Sequence, residues 1–188
     1  MGFFAWAVGK IEEAINRNRF DTLYALEEIN PPTHNKPTEI SKEIARMGPD
    51  AIEFLEEKFR EGDVNERLRV VFNLQSFTDP CAIPLLIEAL RDRDSDIAGS
   101  AISPILRFGS EAVPALMELA SDTDSANFDA RLWVILILGN SKDRRATRTL
   151  IGILEDEKED PDAKECSITA LTRIYDPEAV PALIARLW

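Results

Sequence analysis

The sequence predicts an all-α solenoid of helix pairs, and three observations carry that prediction. A phrase recurs roughly every thirty residues, its apolar positions fall three and four residues apart, and no segment alternates as a strand would. Five segments align: GPDAIEFLEEKF from Gly48, DPCAIPLLIEAL from Asp79, GSEAVPALMELA from Gly109, DRRATRTLIGIL from Asp143 and DPEAVPALIARL from Asp176. Their anchoring alanines, Ala51, Ala82, Ala112, Ala146 and Ala179, are separated by 31, 30, 34 and 33 residues. The leucines four places on, Leu55, Leu86, Leu116, Leu150 and Leu183, keep the same spacings, so the repeat is carried by positions that pack.

Each unit has room for two helices. In the first, Asp79-Pro80 and Asp176-Pro177 supply an N-cap followed by a proline at the first helical position, where a missing N–H costs nothing. A further proline at Pro84, Pro114 and Pro181 is expected to bend the first turn or delay the full helix. The second helices read NERLRVVFNLQSF, DIAGSAISPILRFG, FDARLWVILILG and DAKECSITALTRI. Asp63, Asp96, Asp129 and Asp162, 33 apart, are expected to cap them; Gly109 and Gly139 are expected to end two of them, and Pro104 to kink one. Ahead of the clear repeats, Arg19 to Ile29 and Thr38 to Met47 read as one more pair around the proline-rich loop NPPTHNKP, with helical residues from Phe3 to Asn16 before them.

The expected organisation is one domain over 1–188: a degenerate N-terminal cap and first pair at 1–47, four clear repeats at 48–175 and a half repeat at 176–188. The half repeat leaves three alternatives: a chain cut from a longer array, an end that meets a partner, or self-association through that end. The apolar residues Phe3, Phe4, Trp6 and Val8 are expected to cover the first helix pair; their run is too short to span a bilayer, and no membrane partner is expected.

The chain resembles the HEAT-like repeats of phycobilin lyases. The residues that carry the resemblance are the D-P-x-A-V-P-x-L-I-x-x-L phrase and a second helix opening with Ala130-Arg131 and closing with Leu138-Gly139. It covers Gly48 to Trp188. The resemblance implies a right-handed α-α superhelix with the second helices on its concave side, and it admits scaffolds, adaptors, bilin lyases and DNA glycosylases alike.

Chemistry is sparse. Lys and Arg number 22 against 34 Asp and Glu, a formal charge of −12, which repels polyphosphate and excludes nucleic acid as an expected partner. Cys81 and Cys166 are far apart and read as packing residues in a reducing cytoplasm. His34 is the single histidine, in the proline-rich loop with no nucleophile motif near it. The acidic run from Glu155 to Asp162 lacks the ligand pattern of a calcium loop and reads as a solvated connection; no metal and no cofactor are expected. KDRRATR, from Lys142 to Arg148, is the one basic cluster and reads first as exposed solubilising charge, with an acidic partner as the alternative.

The run RLWVILILG from Arg131 is apolar all round. Either its helix is enclosed by neighbours, or it offers an apolar strip with Trp133 on the concave wall. On the second reading the partner-binding residues are Arg69, Phe72, Arg131, Trp133 and Leu136, with Arg107 and Arg173 on the rim. The expected function is a non-enzymatic scaffold or adaptor holding a protein in that groove. The alternative is a lyase or isomerase subunit acting on a bilin-bearing protein.

Overall fold

The computed structural model describes residues 2–29, 38–123 and 128–186, and within the first helix the side chains of Glu12 and of residues 15–27. Every regular element among them is helical: α1 (Gly2–Ile29), α2 (Glu39–Ala45), α3 (Pro49–Glu61), α4 (Val64–Leu74), α5 (Ile83–Leu90), α6 (Ser95–Leu106), α7 (Val113–Ser121), α8 (Phe128–Ser141), α9 (Thr147–Glu155), α10 (Pro161–Ile174) and α11 (Val180–Ala185). The chain forms two compact units, Met1–Leu85 and Leu86–Trp188, and the boundary falls inside α5.

In the first unit α1 packs on α2 and α3, and both of those pack on α4. Its core is aromatic. Phe20 stacks on Tyr24 at 5.2 Å between ring centroids and meets Phe54 at the same separation, with Ile44, Leu55 and Leu74 fully buried among the core residues. The two helices expected before the loop are instead one continuous helix, α1, because nothing between Asn16 and Arg19 breaks the backbone hydrogen bonding. The expectations for Phe3, Trp6, His34, Leu187 and Trp188 lie outside the described residues or side chains.

In the second unit the helices form two layers. The first helices α7, α9 and α11 neighbour one another in order, as do the second helices α6, α8 and α10, while α7 meets α8 and α9 meets α10 across the layers. Entry to α7, α9 and α11 is a 3₁₀ turn, at Gly109–Glu111, Arg144–Ala146 and Pro177–Ala179, as is entry to α5 at Pro80–Ala82 at the end of the first unit. Proline is not the cause, since Arg144–Ala146 has none. The common element in three of the four is an aspartate cap: Asp79, Asp143 and Asp176 accept from the amide two residues on, at 2.9, 2.9 and 3.1 Å. That short reach closes a tighter turn than an α-helix before the helix proper begins.

Two expectations about helix ends change. Asp63 caps α4, accepting from Glu66 N at 2.9 Å, but α6 and α10 are capped by Asp94 and Asp160, two residues before the expected Asp96 and Asp162. Asp96, Asp129 and Asp162 sit exposed in the first turn of their helices, where a negative charge still favours the helix dipole. Gly139 does not end α8, which runs on to Ser141; the positive φ falls instead on Lys142. A Cβ on Gly139 would lie 2.5 Å from Ala170 Cα, so the glycine lets α8 and α10 approach closely. Gly109 does take a positive φ, +53°.

Candidate functional site

The environment of Arg131 decides how α8 is used. Its side chain is buried, and Nη1 and Nη2 donate to Glu159 Oε1 and Oε2 at 2.9 and 2.6 Å, while Nε donates to the carbonyl of Ala120 at 2.8 Å. The Glu159 side chain is only 5% exposed. Arg131 therefore ties the end of α7, the start of α8 and the α9–α10 connection together, and it is not on a binding surface. Its candidacy as a partner-binding residue is withdrawn, and with it the picture of residues 155–162 as wholly solvated. Hydrogen bonding from Arg131 holds the Glu159 carboxyl below the usual carboxylate range despite burial.

The rest of α8 answers the question its composition raised. Val134, Ile135, Ile137 and Leu138 are buried between the layers, so the helix is largely enclosed. Leu132, Trp133 and Leu136 are half-buried and reachable from solvent. Phe72 is buried in the first unit, and Arg69 is mostly covered there, its guanidinium 3.8 Å from the centroid of the Tyr24 ring. Neither contributes to a surface of the second unit.

The second helices of that unit do share an accessible face. A shift of 33 residues, the spacing of Asp96, Asp129 and Asp162, brings Ser100, Trp133 and Cys166 into one row across α6, α8 and α10. The next row is Ser103, Leu136 and Thr169, and the last is Arg107, Asn140 and Arg173; every one of these nine is half-buried or exposed. Two contacts tie the helices together at this face. A Cβ on Gly99 of α6 would lie 3.9 Å from Trp133 Cζ3, and Arg173 Nη1 donates to Asn140 Oδ1 at 2.8 Å. Since Arg131 meets Glu159 near one end and Asn140 meets Arg173 near the other, α8 and α10 run parallel. The face thus has an acidic edge at the helix starts, an uncharged middle centred on Trp133 and Leu136, and a basic edge carrying Arg107 and Arg173. Sequence reasoning named Trp133, Leu136, Arg107 and Arg173 as candidates, and placed Thr169 at a comparable position, but did not name Ser103 or Asn140. The 33-residue aspartate spacing was the signal that locates them.

The basic cluster is used internally. Arg145 Nη2 bonds Asp143 Oδ2 at 2.6 Å and the carbonyl of Ser110 at 2.7 Å, reaching the preceding repeat, while Arg148 Nε reaches Glu178 Oε1 of the following one at 2.8 Å. Thr147 adds a buried hydroxyl that donates to Asp176 Oδ2 at 3.0 Å. Neither cysteine is activated: burial pushes the Cys81 thiol up to about 11 with Asp79 adding to it, and burial raises Cys166. Among the described residues no three His, Cys, Asp or Glu side chains converge on a metal position, and no helix is long and apolar enough to cross a membrane.

Residues 123–188 match the model for HEAT repeats, and residues 66–92 match the PBS lyase HEAT-like repeat. Those two segments of the chain resemble HEAT-like repeats. The chain's layered helix pairs are the α-α solenoid of those repeats. Over 86 residues, 46% of the chain, it is 38% identical to a phycocyanobilin lyase subunit beta of Pseudanabaena tenuis. Over 81 residues, 43% of the chain, it is 35% identical to the bilin biosynthesis protein RpcF of a Synechococcus strain. These matches span 29% and 37% of the relatives' own lengths. They overturn the expected non-enzymatic scaffold. The chain is similar to a lyase subunit and to a biosynthetic protein, and a thin inventory of catalytic motifs is no argument against enzymatic work, because a solenoid can act through a surface without any local motif.

Proposed function

We propose that this chain is a subunit of a bilin lyase or isomerase that acts on a chromophore-bearing protein. The observation that carries the reading is the 38% identity over 86 residues to a phycocyanobilin lyase subunit. The face formed by α6, α8 and α10 is where we place the work. Handling a bilin calls for an apolar, aromatic surface to lie against conjugated rings and for polar groups at its margin to fix orientation. Trp133 and Leu136 offer the first, and Arg107 and Arg173 the second. With both thiols held protonated near neutral pH, the contribution of this chain is to hold and present the chromophore while bond formation or cleavage takes place on the protein that carries it.

The test is a titration of phycocyanobilin into the purified chain, followed by visible absorbance. A saturable shift is the expected result. Alongside it, bilin attachment to, or release from, the chromophore-bearing protein is timed with and without the chain. A flat titration together with unchanged attachment and release would overturn the reading.

A further inference from the structure

The exposed charges of α6, α8 and α10 are sorted along the helix axes, acids in the first turns and arginines at the ends, with Lys164 half-buried among the acids of α10. At the helix starts stand Asp96, Asp129 and Asp162, all exposed, and at the ends Arg107 and Arg173, also exposed. Between them Trp133 and Leu136 lie in rows that carry no charge. From Asp129 to Asn140 is about 16 Å at 1.5 Å per residue, so the two edges are separated by more than a Debye length at physiological salt. A ligand on this surface therefore meets two distinct local fields.

We infer that the face orients a bilin in one sense only, with its propionate carboxylates at the Arg107 and Arg173 edge and its conjugated rings across Trp133 and Leu136. This inference rests on the bilin-lyase reading. A bilin is an open-chain tetrapyrrole whose one strongly charged feature is its propionate side chains. The aspartate edge repels carboxylates, and guanidinium groups donate paired hydrogen bonds to them. Arg173 is already set in place by its bond to Asn140, which leaves its exposed fork near the surface with little orientational freedom to lose. Trp133, seated beside Gly99, presents a rigid ring at the centre. The reverse orientation would set carboxylates against three aspartates and leave the arginines facing uncharged ring edges. The two propionates sit on the central pyrrole rings, so the consequence concerns edges: the propionate edge faces the arginines and the opposite edge of the tetrapyrrole faces the aspartates.

The experiment compares phycocyanobilin with its dimethyl ester, which keeps the rings and removes the carboxylate charges, on the full wild-type chain and on Arg173→Gln and Arg107→Gln/Arg173→Gln, with folding of each checked by thermal melting. The free acid is expected to bind on the order of tenfold more tightly than the ester, each exposed pair supplying a factor of at most about five. Arg173→Gln narrows that gap and the double variant closes it, with ester affinity unchanged in both. Acid and ester binding equally well to wild type would overturn the orientation while leaving the lyase reading intact. A gap that survives in the double variant would also overturn it, since the carboxylates would then be read elsewhere. Absence of binding by either ligand would overturn the orientation, and the lyase reading would then be decided by the attachment and release rates.

Discussion

The two units bury charge in different ways. In the second, Arg131 and Glu159 meet as a bidentate pair, cation against anion, with the guanidinium also serving a backbone carbonyl. In the first, Glu27 is fully buried and is held by neutral donors: Ser41 Oγ at 2.5 Å, Asn73 Nδ2 at 2.5 Å and Thr38 Oγ1 at 3.1 Å. The first arrangement cancels charge, and its strength lies in complementarity, so loss of either partner strands the other. The second shares one carboxyl group among several donors, so loss of one donor leaves the others in place. The paired solution also connects three segments that are distant in sequence, which suits a repeat array whose stability depends on neighbouring interfaces.

The sharpest way to break this contrast is Arg131→Met. It leaves Glu159 buried without its partner and is expected to cost about 3–5 kcal/mol in urea unfolding, whereas the double change Arg131→Met/Glu159→Leu recovers most of that loss. A double variant as unstable as the single would mean the damage came from lost packing. The pair also predicts acid behaviour. Because the folded Glu159 carboxyl sits below its ordinary value, the stability it supplies is present above about pH 4.3 and drains away as pH falls through the folded value. Glu159→Gln should flatten that part of the pH–stability curve.

For the distributed site, Ser41→Ala is expected to cost about 1–2 kcal/mol, less than Arg131→Met, because Thr38 and Asn73 remain on Glu27. Denaturant melts of the two variants side by side decide the matter, and equal losses would remove the distinction drawn here. The glycines shift stability in opposite directions, with the smallest effect at Gly152. Gly139→Ala must push α8 from α10 and is expected to cost about 1–3 kcal/mol, while Gly152→Ala in α9, with no atom within 4 Å of the new methyl, should stabilise by about 0.5–1 kcal/mol. Opposite shifts in melting temperature are the readout.

Much of the fold could be read from the chain. The thirty-residue spacing of Ala82, Ala112, Ala146 and Ala179 placed each first helix, and all four alanines are buried. Caps were read two residues out of place at α6 and α10, because DSD and DPD both offer an aspartate and only the backbone geometry chooses between them. The candidate site was legible in part. Trp133 stood out by residue type, but Arg131 beside it could be assigned to groove or core only by the presence of Glu159, 28 residues later.

What the sequence alone determined, then, is the periodic part: helix pairs, their order, and the rows of aspartate that mark their starts, because local hydrogen bonding and apolar spacing act over a few residues. What only the tertiary structure decided is the fate of individual polar side chains. Arg131 became an internal clamp, Arg145 and Arg148 became ties between repeats, and Arg173 remained at the surface, though all four are arginines on helices or at their entrances. The cost of burying a charge is set by the partner that meets it in space, and no local pattern in the chain encodes that partner.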